Sequence, residues 1–501
     1  MTLAQLEDLL ETAGKKLQHQ DRPLLFSFSH PLTWQCPSAF LRQLQRRWSS
    51  LPFQYWHVPD QGTALIGVGV SLRLEAESTG RFQQIKQRWH EFCSSLMVHS
   101  TVRSEDKQGN DCPGRPLAHL DPKPGPILMG GFSFFPFVDD SSLWQGFGGA
   151  SFVLPRFQLV KQGSTSWITC NLLLGHDDDL QSICRELIEE WSELARIAEL
   201  GSVEPEPKAS GGNTGDSTSE YPPVDDDVAE VWLSSVRQAL QEINRGTIEK
   251  IVLARQVDFS PAPTHVLPEL LAHLEERFPH CMIFAVQRGP NCFVGATPEL
   301  LASVRGSLVR TMCLAGSAPR GVDPQQDDAL GQEMKSDEKE LAEHRFVVQM
   351  LKQELGRLCS NVKYGDEPEL LKLDNVQHLH TPIEGELKNG LSILDVIEKL
   401  HPTPAVGGVP KEAALEKIRQ WEHFDRGWYA GPIGWLDAHG GGEFAVAIRS
   451  ALMHGKGMAL FTGCGIVAGS LPENELRESQ LKLRPMLQAI ARAWAERRSE
   501  S

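Results

Sequence analysis

Two stretches of the chain carry the same carboxylate spacing. KELAEH (339–344) holds Glu340 and Glu343, and ENELRESQLK (473–482) holds Glu475 and Glu478. Residues three apart share a helix face. Two such pairs are either solvated faces or, where they converge, a cage whose repulsion a cation must offset. Mg²⁺ suits that role, because it takes oxygen ligands and keeps part of its water shell. A di-iron centre would need Glu-x-x-His motifs, which neither pair supplies.

Lys250 opens the apolar run KIVLAR. It is either an exposed strand-edge lysine or, if desolvated near other cations, a general base. Glu299 follows a strand and a Thr-Pro turn in GATPELL. It is either a catalytic carboxyl on a rigid turn or a first-turn helix residue facing the dipole. GCGIVAG (463–469) follows the strand MALFT. Its spacing is G-x-G-x-x-x-G with no βαβ unit around it, which argues against a dinucleotide site and an oxidoreductase. Such a loop could still hold a carboxylate on backbone N–H groups. HPTPAVGGVPK (401–411) has too many prolines for a helix and reads as a stiff loop beside a ligand or a plain turn. No Walker phosphate loop or G-x-S-x-G elbow is present.

The elements that must carry these groups are mixed. A helix is predicted over 1–20, and short apolar runs broken by Gly and Pro fill 24–165, with helices at 81–97 and 178–200. The acidic, Pro/Gly/Ser-rich stretch 202–227 reads as a linker or surface loop. Beyond it come a helix at 228–245, a strand at 249–259, a helix near 266–278 and the strands MIFAVQ and CFVGAT. One long helix is predicted over 326–358, a helix at 391–400, strands at 428–436, 443–453 and 457–462, and a last helix from Pro472. Without strict βαβ alternation this is an α+β pattern. The expected organisation is a strand-rich part at 1–201, the linker at 202–227, and a catalytic part at 228–501.

The 501 residues include 49 Lys+Arg against 65 Asp+Glu, a formal charge of −16. That argues against nucleic acid or anionic membrane as partner and requires a locally cationic pocket for any anionic substrate. The ten cysteines form no C-x-x-C knuckle, and no apolar stretch approaches a membrane span. The acidic N-terminal segment fits neither a secretory nor a transit peptide, so a cytoplasmic protein is expected. A monomer is expected from the lack of a heptad seam, with a homodimer as the alternative.

Taken in order, KIVLAR, GATPELL, CLAGSAPRG, KELAEH, VQHL, HPTPAVGG, RGWYAGPIG, AIRSAL and GCGIVAGSLPENELRES resemble the chorismate-utilising enzymes over roughly 230–490. Residues 1–200 match in texture only, through GGFSFF and ASFVLPRF. The resemblance implies one large fold of layered, mostly antiparallel sheets that binds chorismate beside Mg²⁺. It implies that Glu343 and Glu478 ligate the metal directly and that Glu340 and Glu475 hold its waters. Tyr429 and Arg449 would bind the enolpyruvyl carboxylate, Gly463, Gly465 and Lys482 the other carboxylate, with His378 near the ring. Lys250 becomes the base that activates water for attack at C2, and Glu299 the acid that protonates the departing C4 hydroxyl. Ammonia-using and salicylate-forming members carry threonine where this chain has Ala405, so the isochorismate synthase branch, which feeds menaquinone, phylloquinone or siderophore synthesis, is the one it resembles. Salicylate synthase and a non-catalytic chorismate-binding protein are the alternatives.

Overall fold

Continuous apolar runs bounded by turns pair into two large sheets in the computed structural model, which describes residues 3–48, 51–102, 122–137, 143–201, 226–259, 266–372, 376–455 and 457–500. The larger sheet has twelve strands. One half is built from Lys250–Phe259, Gly457–Val467, Ser450–His454, Asn291–Thr297 and Met282–Arg288. The other half continues directly through Phe53–Val58, Thr63–Val68, Phe157–Gln162, Thr165–Leu174 and Leu24–Pro31. A second sheet of ten strands is centred on Leu308–Pro319, Leu300–Arg305, Gly442–Val446 and Pro432–Asp437. Among the described pairings only Leu24–Pro31 with Met97–Ser100 is parallel. The α+β expectation with mostly antiparallel layers therefore holds.

Both faces of the larger sheet are covered, which explains runs that do not alternate with polar residues. In Met282–Arg288, Met282, Phe284 and Val286 enter the core between the sheets. Ile283 and Ala285 point the other way, into a core capped by helices such as Leu3–Leu17, Leu180–Gly201 and Leu267–Arg277. Side chains alternate across a strand, so one run feeds two cores.

Three sequence expectations need correction, and each correction places a functional group. The helix predicted over 326–358 is two helices, Pro324–Ser336 and Glu338–Leu358. Asp337 separates them and caps the second, its carboxylate accepting from the backbone N–H groups of Lys339 and Glu340. The predicted strand 443–453 is two strands in different sheets, Gly442–Val446 and Ser450–His454. The chain crosses between sheets at Arg449, whose φ is +53°. Third, the loop read into GCGIVAG lies largely within strand Gly457–Val467. Glu299 sits between two strands, Asn291–Thr297 and Leu300–Arg305, so it is not a first-turn helix residue. The stretch 202–225 lies outside the described residues, and Asp226–Asn244 is helical. No described helix is long and apolar enough to cross a membrane.

Candidate active site

The sheets and the two glutamate-bearing helices enclose a cleft of about 700 Å³. Glu343 lines it from helix Glu338–Leu358, and Glu478 and Lys482 line it from helix Pro472–Glu500. Gly463 and Gly465 come from strand Gly457–Val467, and Arg449 from the crossing between the sheets. Glu299, His378, Ala405 and Tyr429 complete the predicted set found on its wall. Lys250, Glu340 and Glu475 are not on the wall. Lys250 contacts the wall residue Glu343, and Glu340 and Glu475 share Lys339.

One side of the cleft is cationic. The Lys482 ammonium lies 2.6 Å from Glu478 and 3.3 Å from the Gly463 carbonyl. Burial pushes that ammonium toward neutrality, but the Glu478 carboxylate beside it raises its pKa above the ordinary range. The Arg449 guanidinium donates to the Lys482 carbonyl at 3.4 Å. Tyr429 stacks on Phe461 with ring centroids 5.2 Å apart, and burial raises its phenol pKa.

Carboxylates stand beside these cations, and each of the four glutamates has a lysine near it. The fully buried Lys250 stands 2.9 Å from Glu343, a close ion pair that is not aligned as a hydrogen bond. Lys339 lies 2.9 Å from Glu475 and 3.7 Å from Glu340, so one ammonium serves both helices. Burial pushes Glu478 up, yet Lys482 outweighs it and the carboxyl is held below its usual range. Glu475 is raised, by burial and by Glu478. Gly465 allows this packing: a Cβ there would lie 2.3 Å from the Glu343 Oε1 and 3.3 Å from the Lys250 Cε.

Glu299 lines the same cleft. Burial pushes its carboxyl up to about 7, with Lys250, Lys482 and Arg449 pulling it partly back. Its carbonyl accepts from Val446 and its N–H donates to the Thr297 hydroxyl, which fixes the turn. His378 donates from Nδ1 to the Gly316 carbonyl at 2.9 Å, and burial with Arg449 nearby lowers its pKa to about 3. It is a neutral imidazole with Nε2 as the acceptor nitrogen.

The sequence reading missed the supports. Lys339 lay within KELAEH but was not singled out. Glu422 and Arg426 form a buried ion pair with a 2.5 Å contact. Arg426 donates to the carbonyls of Val252 and Val406, and Glu422 accepts from the Ala254 N–H. The pair therefore ties strand Lys250–Phe259 to the loop carrying Ala405. Their i,i+4 spacing was visible, but nothing in it distinguishes a buried pair from a surface one.

The donor set can be tested for a hard cation. The tight group is Cys464, Glu475 and Glu478, with candidate ligand atoms within 4.8 Å of one another, and Glu340 and Glu343 do not join it. Burial raises the Cys464 thiol well above its usual range, and its Sγ lies 3.3 Å from the Glu475 carbonyl, which leaves carboxylate oxygens as donors. The buried Glu475 Oε2 has no hydrogen-bond partner. An ammonium, Lys339, already bridges the two helices. Oxygen donors, an orphaned carboxylate oxygen and a cation between the pairs fit Mg²⁺.

Two mostly antiparallel sheets thus line a cleft that gathers Arg449 and Lys482 with Glu343, Glu478 and the near-neutral carboxyl of Glu299. Residues 9–491 match the family model described as chorismate binding enzyme. The chain is 34% identical over 478 residues to the isochorismate synthase MenF of Bacillus subtilis, covering 95% of both chains. It is 34% identical over 487 residues to the salicylate biosynthesis isochorismate synthase of Pseudomonas aeruginosa, covering 97% of this chain and 94% of the relative. Among solved structures it is similar to MenF, the menaquinone-specific isochorismate synthase of Escherichia coli, with a TM-score of 0.69, 25% identity, and coverage of 96% of this chain and 99% of that one. The chain belongs to the family of chorismate-binding enzymes.

Proposed function

We propose that the protein is an isochorismate synthase that converts chorismate to isochorismate. The observation that carries this is Glu299, a buried carboxyl held near neutrality in the same cleft as the Arg449–Lys482 cationic wall. Arg449 and Tyr429 hold one substrate carboxylate, and Lys482 with the Gly463 and Gly465 backbone holds the other. Lys250, acting in its neutral amine form, takes a proton from water as its oxygen attacks C2. The ring double bonds shift, the C4–O bond breaks, and Glu299 gives its proton to the leaving hydroxyl. Water is consumed and released, so the product is an isomer. Mg²⁺, held by Glu343 and Glu478 and through water by Glu340 and Glu475, would supply positive charge for the ring carboxylate.

Ala405 on the cleft wall supports the isochorismate branch, because the salicylate-forming and ammonia-using members it resembles carry threonine there. Menaquinone synthesis is the use we assign, after the E. coli relative described as menaquinone-specific. Residues 202–227 are read as an excursion within one fold, since strands before and after them share the twelve-stranded sheet. Proton NMR of chorismate with the protein, with Mg²⁺ or with EDTA, tests the reading. An isomer signal without pyruvate, lost in EDTA, is expected. Pyruvate with an aromatic product would replace it with a salicylate synthase, and unchanged chorismate would remove the enzymatic reading.

A further inference from the structure

A second cleft of about 860 Å³ runs along the edge of strand Lys250–Phe259, between helix Asp226–Asn244 and residues 421–424. The neighbouring strand Gly408–Val409 covers only Lys250 and Ile251, so the edge beyond them has no strand partner among the described residues. Leu253, Trp232, Trp421 and Phe424 make the wall largely apolar and aromatic.

Within that wall lies a guanidinium with two unpartnered nitrogens. Arg255 is 3% exposed, and its Nη1 and Nη2 have no hydrogen-bond partner. Its Nε donates to the Ser479 hydroxyl at 3.1 Å. The guanidinium carbon lies 5.9 Å from the Trp232 ring, whose buried Nε1 also lacks a partner. A guanidinium is a donor only, and buried donors without acceptors are costly. The nearby carboxylates are committed elsewhere: Glu422 takes Arg426 and the Ala254 N–H, and Asp258 takes the Gln256 amide.

We propose that this cleft binds a small aromatic carboxylate, its carboxylate on Arg255 and the Trp232 N–H and its ring against Trp421 and Phe424. The site touches the first cleft at two points. Ser479, bonded to Arg255, follows Glu478 and accepts from the Thr462 hydroxyl, and Thr462 lines the first cleft. Glu422 lines the second cleft and grips Arg426, which holds Val252 and Val406 of the first. The ligand is therefore a regulator by position, independent of which reaction the first cleft performs.

Fluorine NMR with para-fluorobenzoate, and with neutral para-fluorobenzamide as control, tests this on the full chain. Arg449→Gln removes the guanidinium of the first cleft and is expected to leave benzoate binding unchanged. Arg255→Gln is expected to weaken it about tenfold or more, through loss of charge-assisted hydrogen bonds. Val231→Glu places a repelling carboxylate at a lining position that is 50% exposed, and should weaken binding similarly without disturbing the core. If Arg255→Gln does not fold, Val231→Glu decides alone. No benzoate binding at millimolar concentration, equal binding of the amide, binding indifferent to Val231→Glu, or loss in Arg449→Gln would each overturn the proposal.

Discussion

The two glutamate pairs share a spacing and a position near a helix start, yet their surroundings differ. Glu340 and Glu343 follow the Asp337 cap, with Lys250 reaching Glu343 from the sheet and Lys339 beside Glu340 on the same helix. Glu475, 1% exposed, is the most enclosed of the four and depends on Lys339 from the other helix, whereas Glu478, 30% exposed, depends on Lys482 one turn along its own. Like charges three apart repel, and here each pair is offset differently. The first leans on a lysine assigned to proton transfer, the second on a lysine assigned to substrate binding. On the proposed assignment Lys250 ties the first pair to the chemistry and Lys482 ties the second to the grip, while each pair offers one carboxylate to Mg²⁺.

The largest expected effect breaks chemistry from grip. Glu299→Gln keeps the shape of the carboxyl but cannot give up its proton as an acid. Turnover should fall by about 100- to 10,000-fold. Chorismate binding, followed by calorimetry, should stay near wild type. Equal loss of both would mean that Glu299 holds the substrate rather than protonating it.

Next comes Gly465→Ala. The new methyl would meet the Glu343 Oε1 at 2.3 Å, and that flexible side chain must move. The Mg²⁺ concentration needed for half-maximal activity should rise about 10- to 100-fold, as for other changes beside a metal ligand. An unchanged Mg²⁺ requirement would detach Glu343 from the metal and leave it only as the partner of Lys250.

A pH profile sharpens the same division at smaller cost to the protein. Glu299 is raised to about 7, so it carries its proton below that pH and loses it above. A general acid works only while protonated, so kcat should fall about tenfold per pH unit on the alkaline side. Glu299→Gln should abolish that limb in its residual rate. A limb that persists in the variant belongs to another group.

How much of this was legible in the sequence follows from which features are local. The glutamate spacing, Lys250 and Glu299 were visible because ordered motifs carry them. The broken helix at Asp337 was not, because periodicity continues across a one-residue cap. The split of 443–453 into two sheets was hidden for a related reason: GEFAVAIRSALMH is mostly apolar on both sides of Arg449, and the left-handed Arg449 backbone marks the crossing. Gly463 and Gly465 of GCGIVAG read as a loop, whereas they are strand positions kept bare where Tyr429 and Glu343 approach. Lys339 and the Glu422–Arg426 pair act through tertiary contacts, which spacing alone does not encode.

Lys339 gives the smallest expected effect and the most direct test of the comparison. Its ammonium stands 2.9 Å from Glu475 and 3.7 Å from Glu340, where a metal serving both pairs would exert its pull. Two cations in that gap compete for the same carboxylates. Lys339→Met should therefore do two opposite things. Without Mg²⁺ it leaves Glu475, only 1% exposed, with one fewer counter-charge, so the midpoint of thermal unfolding should fall by a degree or two, about 1 kcal/mol. With Mg²⁺ the variant should recover and bind the ion a few-fold more tightly, because no ammonium has to be displaced. The difference in unfolding midpoint between Mg²⁺ and EDTA should thus be larger than in the wild type. An equal fall in both conditions would make Lys339 a plain structural bridge. Glu340 and Glu475 would then be held by Lys339 alone, and the metal would belong to Glu343 and Glu478 without any contribution from them.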